Sequence, residues 1–170
     1  TLFNLLGPLT NPAGVVRQVD GVWGRDVQPL VASALAELGA RHALVVHSDD
    51  GLDELSVGAP TRVVEVRDGE VAGEWTVDPT RLGIEPAAPE ALCGGDAAVN
   101  AGRLRAILAG DERSPAADAV ALNAAAALYV AGVAEDLAKG LSTAREVLAS
   151  GTGAERLDRL AARSAELADG

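Results

Sequence analysis

An α/β fold is predicted, with a mostly parallel sheet flanked by helices and a helical C-terminal portion. A candidate strand at residues 19–23, a candidate helix and the apolar run Ala43, Leu44, Val45, Val46, His47 follow one another in strand–helix–strand order. That order implies a parallel, right-handed crossover. Two further candidate strands, at residues 61–66 and 70–77, flank Asp68-Gly69, a strong two-residue hairpin signal. From residue 97 onward the chain is rich in Ala and broken by Gly, the pattern of helices ended by left-handed caps.

Each element has its own justification. Residues 1–14 are apolar but interrupted by Gly7, Pro8 and Pro12, and read as a loop with a short helical turn. Asp26 is a suitable N-cap for a helix through Leu30, Val31, Leu35 and Leu38, with Gly39 at the C′ position. Residues 78–93 carry Pro79, Pro86 and Pro89 and read as a connecting loop. Helices are expected over 97–108, ending at Gly110; over 115–130; from the candidate N-cap Ser142 to Gly151; and over 154–168. The run Ala124-Ala125-Ala126-Ala127 fits a high-propensity helix packed tightly in the interior.

The 170 residues suit one domain with a sizeable core. Hydrophobic residues make up 48% of the chain, yet there are only two Trp, one Tyr, one Phe and no Met, so that core must be aliphatic. A formal net charge of −11, with Lys139 the only lysine, argues against nucleic acid, whose binding needs clustered basic groups. The lone cysteine, Cys93, excludes an internal disulfide framework and a Cys-rich zinc site, which fits a cytoplasmic protein. No apolar run approaches the ~20 residues of a membrane span, and no signal peptide is visible. A start at Thr1 fits an internal fragment better than a complete gene product.

The acidic stretch Asp49-Asp50-Gly51-Leu52-Asp53-Glu54 follows the buried-strand candidate directly. Ligands of open α/β sheets bind beyond the carboxyl ends of strands. Clustered hard oxygen donors there point to Mg²⁺ or Ca²⁺, most naturally Mg²⁺ carried in with a phosphorylated substrate. The competing reading is a solvated turn. His47, at the strand end, reads as a core or supporting residue rather than a ligand.

The segment from Thr1 to Ala13, with Asn4-Leu5-Leu6-Gly7-Pro8-Leu9-Thr10-Asn11-Pro12 at its centre, resembles a motif of the anthranilate phosphoribosyltransferases. The likeness continues, in family order, through Val45-Val46-His47 with Asp50-Gly51-Leu52-Asp53-Glu54, then Gly94-Gly95-Asp96 with Asn100-Ala101, and Leu122-Asn123-Ala124-Ala125-Ala126. One departure is Ser48, where the family loop often has Gly.

The resemblance implies the C-terminal α/β portion of such an enzyme, residues 1–170, similar in fold to the large domain of nucleoside phosphorylase-like phosphoribosyltransferases. The helical N-terminal domain and phosphate-loop strand would be absent. It implies transfer of the phosphoribosyl group from 5-phosphoribosyl 1-pyrophosphate to anthranilate, an early step of tryptophan biosynthesis, with Mg²⁺ as cofactor. Asp53 and Glu54 match the metal-binding pair; Asn4, Gly7 and Pro8 match the channel that admits anthranilate. It also implies a homodimer formed mainly through the absent helical domain. Gly94-Gly95-Asp96 matches a helix-entry turn. The family's Gly-Thr-Gly-Gly-Asp loop, its Lys-His-Gly-Asn-Arg segment and its anthranilate-gripping Arg are not in these residues, so the fragment alone is expected to be catalytically silent. Three alternatives stay open: a pyrimidine nucleoside phosphorylase-like enzyme, a non-catalytic nucleic-acid-binding relative, and a degenerate structural fragment.

Overall fold

The computed structural model describes the backbone of residues 2–168 and the side chains of residues 6–168. In chain order the elements are α1 (Leu2–Leu9), β1 (Arg17–Gly21), α2 (Gln28–Glu37), β2 (His42–Ser48), β3 (Thr61–Arg67), β4 (Glu70–Val77), α3 (Ala97–Ala109), α4 (Pro115–Ala131), α5 (Leu137–Ala149) and α6 (Thr152–Ala168). Short 3-10 turns at Pro79–Leu82 and Pro89–Leu92 punctuate the expected loop.

The sheet has the order β1-β2-β3-β4. Its first pair is parallel, with Gly21 opposite Val46, and the other two pairs are antiparallel. The α/β class therefore holds, while the expected predominance of parallel pairing does not: only β1 and β2 are joined by a crossover helix. The residues from Asp49 to Pro60 are a long loop without a helix, and β3 returns antiparallel from it. The β3–β4 turn is as expected, with φ +48° at Asp68 and +81° at Gly69, the left-handed pair of a type I′ turn.

Two aliphatic cores cover the two faces of the sheet. On one, Val31, Ala32 and Leu35 of α2 meet Ala43, Val45, Val64 and Val66. On the other, Ala121, Leu122, Ala125 and Ala126 of α4 meet Leu44, Val46 and Val63, with Leu141 and Ala144 of α5 behind them. The alternation of strand side chains between faces produces both cores from the same strands. Small residues let α4 and α5 approach closely: a Cβ on Gly140 would lie 2.7 Å from the Ala125 carbonyl oxygen. The interior Ala run is thus buried packing surface, as expected.

Several boundaries differ from expectation. The first segment is a two-turn helix rather than a loop with one turn. Strand β1 starts and ends two residues earlier, because its register with β2 runs from Arg17 opposite His42 to Gly21 opposite Val46. Asp26 does not cap α2: Val27 takes that position without a side-chain bond, and Pro29 occupies the first turn, where a missing N–H costs little. Ser142 is not the N-cap of α5 but lies inside it. Asp136 caps that helix by accepting from the Lys139 amide at 2.7 Å. The expected stops at Gly39, Gly110 and Gly151 hold, all with positive φ. Among the described residues no helix is long and apolar enough to cross a membrane.

Candidate functional site

Parallel pairing puts the C-terminal ends of β1 and β2 at the same edge of the sheet. The loop leaving β2 folds back over that edge. Ser48 donates its amide to the Leu52 carbonyl at 2.9 Å, Gly51 donates to Ser48 at 3.0 Å, and Asp49 donates to Pro60 at 2.9 Å. Gly51 supplies the positive φ, +92°, that this reversal needs. The His47 ring places Nδ1 2.8 Å from the Val22 carbonyl oxygen. It therefore ties the ends of the two strands together and acts as a supporting residue, in agreement with its reading from sequence.

The four carboxylates of this loop separate into two kinds. Asp49 is ion-paired with Arg25. Asp50 accepts from the Ser56 hydroxyl at 2.5 Å and from the Leu52 amide at 3.4 Å. Burial opposes ionisation of Asp50, but the Ser56, Ser48 and Leu52 hydrogen bonds outweigh it and hold the carboxyl below its ordinary pKa. Both are consumed in shaping the loop. Asp53 and Glu54 are exposed, and neither makes a hydrogen bond or ion pair through its side chain among the described residues. Their oxygens are hard donors with free lone pairs.

No cluster of three or more His, Cys, Asp or Glu able to hold a metal occurs among the described residues. A closed protein cage, as calcium often takes, is therefore not built here. Two adjacent free carboxylates do fit Mg²⁺, which keeps several waters and takes one or two protein ligands alongside substrate phosphates.

The 53–55 segment is gripped from two directions. Asn123, in the middle of α4, accepts from the Leu55 amide through Oδ1 and donates to the Leu55 carbonyl through Nδ2, each at 3.0 Å. Opposite, the end of β1 passes so close that a Cβ on Gly21 would lie 1.6 Å from the Asp53 carbonyl oxygen. Neither residue was assigned a role from sequence. For Asn123 the signals were its place in the family-like segment Leu122–Ala126 and its position as an amide in an Ala-rich helix; for Gly21 there was none.

The other predicted positions lie on α1. Gly7 is exposed, with nothing within 4 Å of where its Cβ would be, and Pro8 is half-buried. The side chain of Asn4 lies outside the described residues. Leu9 packs on the α2 side of the sheet. A cavity of about 620 Å³ lies between residues 85–87, the C-terminal ends of α3 and α5 and the N-terminus of α4, where Arg113 and Arg145 stand among Glu85, Glu112 and Asp118. Neither Gly7, Pro8, Asp53 nor Glu54 lines it. Gly94-Gly95-Asp96 is the expected helix entry: Asp96 accepts from the Val99 amide at 2.9 Å.

The mixed sheet with helices on both faces sets the fold class, α/β. The model of the glycosyl transferase family, a/b domain, matches residues 1–154, and the chain belongs to that family. Within it, the chain is 52% identical over 99% of its length to the anthranilate phosphoribosyltransferase of Thermomicrobium roseum, covering 49% of that protein. It matches the crystal structure of the Thermus thermophilus anthranilate phosphoribosyltransferase with a TM-score of 0.86 and 47% identity, over 94% of this chain and 46% of that one. The Saccharomyces cerevisiae enzyme in complex with 4-fluoroanthranilate aligns with a TM-score of 0.84 and 25% identity, over 93% of this chain and 46% of that one. The chain thus spans about half the length of the relatives it matches.

Proposed function

We propose that the chain forms the α/β portion, a single domain, of an anthranilate phosphoribosyltransferase. Such an enzyme transfers the phosphoribosyl group of 5-phosphoribosyl 1-pyrophosphate to anthranilate, giving N-(5-phosphoribosyl)anthranilate and pyrophosphate in tryptophan biosynthesis. The observation that carries this reading is the pair Asp53 and Glu54, exposed and without side-chain partners among the described residues at the C-terminal edge of the parallel strands, while Asp49 and Asp50 are engaged. The names of the relatives supply the substrates, and the bound fluoroanthranilate of the yeast enzyme is an analogue of the acceptor.

In this reading Asp53 and Glu54 would hold Mg²⁺, which would supply positive charge to offset that of the departing pyrophosphate. Asn4, Gly7 and Pro8 on α1 line the path of anthranilate, and the bare backbone of Gly7 leaves room for a flat ring. The protein works in the cytoplasm as a homodimer.

The test is a kinetic one on the intact protein. Asp53→Asn with Glu54→Gln is expected to raise the Mg²⁺ concentration for half-maximal rate by at least about ten-fold. An unchanged Mg²⁺ dependence would sink the metal assignment. The isolated 170 residues should consume no anthranilate when given 5-phosphoribosyl 1-pyrophosphate and Mg²⁺, and measurable turnover by them would contradict the proposal that the site is shared with other parts of the protein.

A further inference from the structure

Asp53 and Glu54 have no side-chain partners to orient them among the described residues, so their aim depends on the backbone that carries them. That backbone is fixed by contacts the proposed chemistry does not use. The Asn123 amide spends both its donors, on the carbonyls of Leu55 and Ala119 at 3.0 Å each, and its oxygen accepts from the Leu55 amide at 3.0 Å. The Leu55 side chain is itself anchored in the core between the sheet and α4, at 1% exposure. From the other side, Gly21 leaves a space that any side chain would fill, pushing Asp53 away.

We propose that Asn123 is a positioning residue for the divalent cation. It clamps Leu55 so that the two preceding carboxylates are presented together, with the Gly21 backbone as the opposing wall. The inference rests on the metal reading above and extends it to residues that touch neither ion nor substrate. Asn suits the task because one side chain must both accept from and donate to the same residue's backbone. Asp has no donor for the Leu55 carbonyl, and Ser is too short to bridge both groups. Partners one step removed from a metal typically change its affinity by about 10–100-fold when lost.

The experiment uses the intact protein and Mn²⁺ as a paramagnetic substitute for Mg²⁺, titrated in the presence of pyrophosphate and followed by electron paramagnetic resonance. Asn123→Ala is expected to weaken Mn²⁺ binding about ten-fold and to speed hydrogen exchange at the Leu55 amide, with KM for anthranilate unchanged. Asn123→Ser carries the same measurement should the Ala variant not fold. Unchanged Mn²⁺ affinity alongside faster Leu55 exchange would overturn the proposal, because the bonds would then serve the fold alone. Asp53→Asn run in parallel separates the two ideas. If it too leaves Mn²⁺ binding intact, the metal reading fails; if it alone weakens binding, only the role of Asn123 fails.

Discussion

Asp20 stands opposite Val45 in β1, on the α2 side of the sheet, with one carboxylate oxygen buried and without a hydrogen-bond partner among the described residues. Burial raises its pKa from 3.8 to about 6. The folded state therefore binds a proton that the unfolded chain has already released. The stability linked to this group is complete below pH 3.8 and is lost as pH rises through about 6. Replacing Asp20 by Val should raise the stability of the 170-residue chain near neutral pH by about 1–2 kcal/mol. Thermal unfolding followed across that pH range checks this: the gain should shrink as the solution is acidified, whereas a constant gain would mean that added apolar burial, not charge, was responsible. No periodicity or motif pointed to this carboxylate. The acidic loop, by contrast, is plain in the sequence, and the family resemblance singles out Asp53 and Glu54, the two of its carboxylates without side-chain partners among the described residues. What stayed illegible there was which residues engage the other two carboxylates, since Arg25 and Ser56 meet Asp49 and Asp50 only through the folded loop.

Elements were most legible where local chemistry decides them. The Asp68-Gly69 turn, the Gly stops after helices and the Ala-rich α4 depend on backbone conformation and neighbouring residues, and each was found where the sequence put it. Pairing direction depends on how a loop travels in space, so the antiparallel β2–β3 pair was missed even though the β3–β4 hairpin was not. The start of α5 was misplaced for a related reason: Asp136 and Ser142 are both competent caps, and the turn after Gly132 brings the chain into helix at the earlier one. That placement sets Gly140 against Ala125, with backbone or Cβ atoms 2.7–3.2 Å from any added methyl. Rigid helix backbone cannot yield as a flexible side chain would. Gly140→Val should cost about 1–3 kcal/mol despite the better helix propensity of the new residue, measured by urea denaturation. A neutral or stabilising result would show that α4 and α5 are not locked at this crossing.

Across the whole molecule, one buried carboxylate ties the end of the sheet far from the acidic loop to the helical layer. Glu65 of β3 lies 2.9 Å from His42 Nε2 of β2 and accepts from Arg67 Nε at 2.8 Å, from Trp75 Nε1 of β4 at 2.9 Å and from the Tyr129 hydroxyl of α4 at 3.1 Å. The Tyr129 ring meets those of His42 and Trp75 edge-on, at centroid distances of 4.8 and 6.4 Å. Burial opposes the charge on Glu65, but the His42, Trp75 and Tyr129 hydrogen bonds and the Arg67 guanidinium outweigh it, so its pKa falls below the ordinary 4.5. The sign is opposite to that of Asp20: this stability is present above pH 4.5 and is lost as pH falls through the lower folded value. Burial likewise lowers the pKa of His42, against the pull of Glu65, so the neutral ring with its proton on Nε2 suits the network. Glu65→Gln substitutes an amide, with two donors, for an acceptor surrounded by donors. It should cost about 3 kcal/mol near neutral pH and progressively less in acid, as the native carboxylate itself becomes protonated. Denaturation at matched pH values measures both numbers. Because the network is built at the end of β2 opposite the Asp53 loop, the Mg²⁺ dependence of the intact protein should be unchanged in this variant. A loss of stability that is the same in acid and at neutral pH would assign the role of Glu65 to packing rather than to charge.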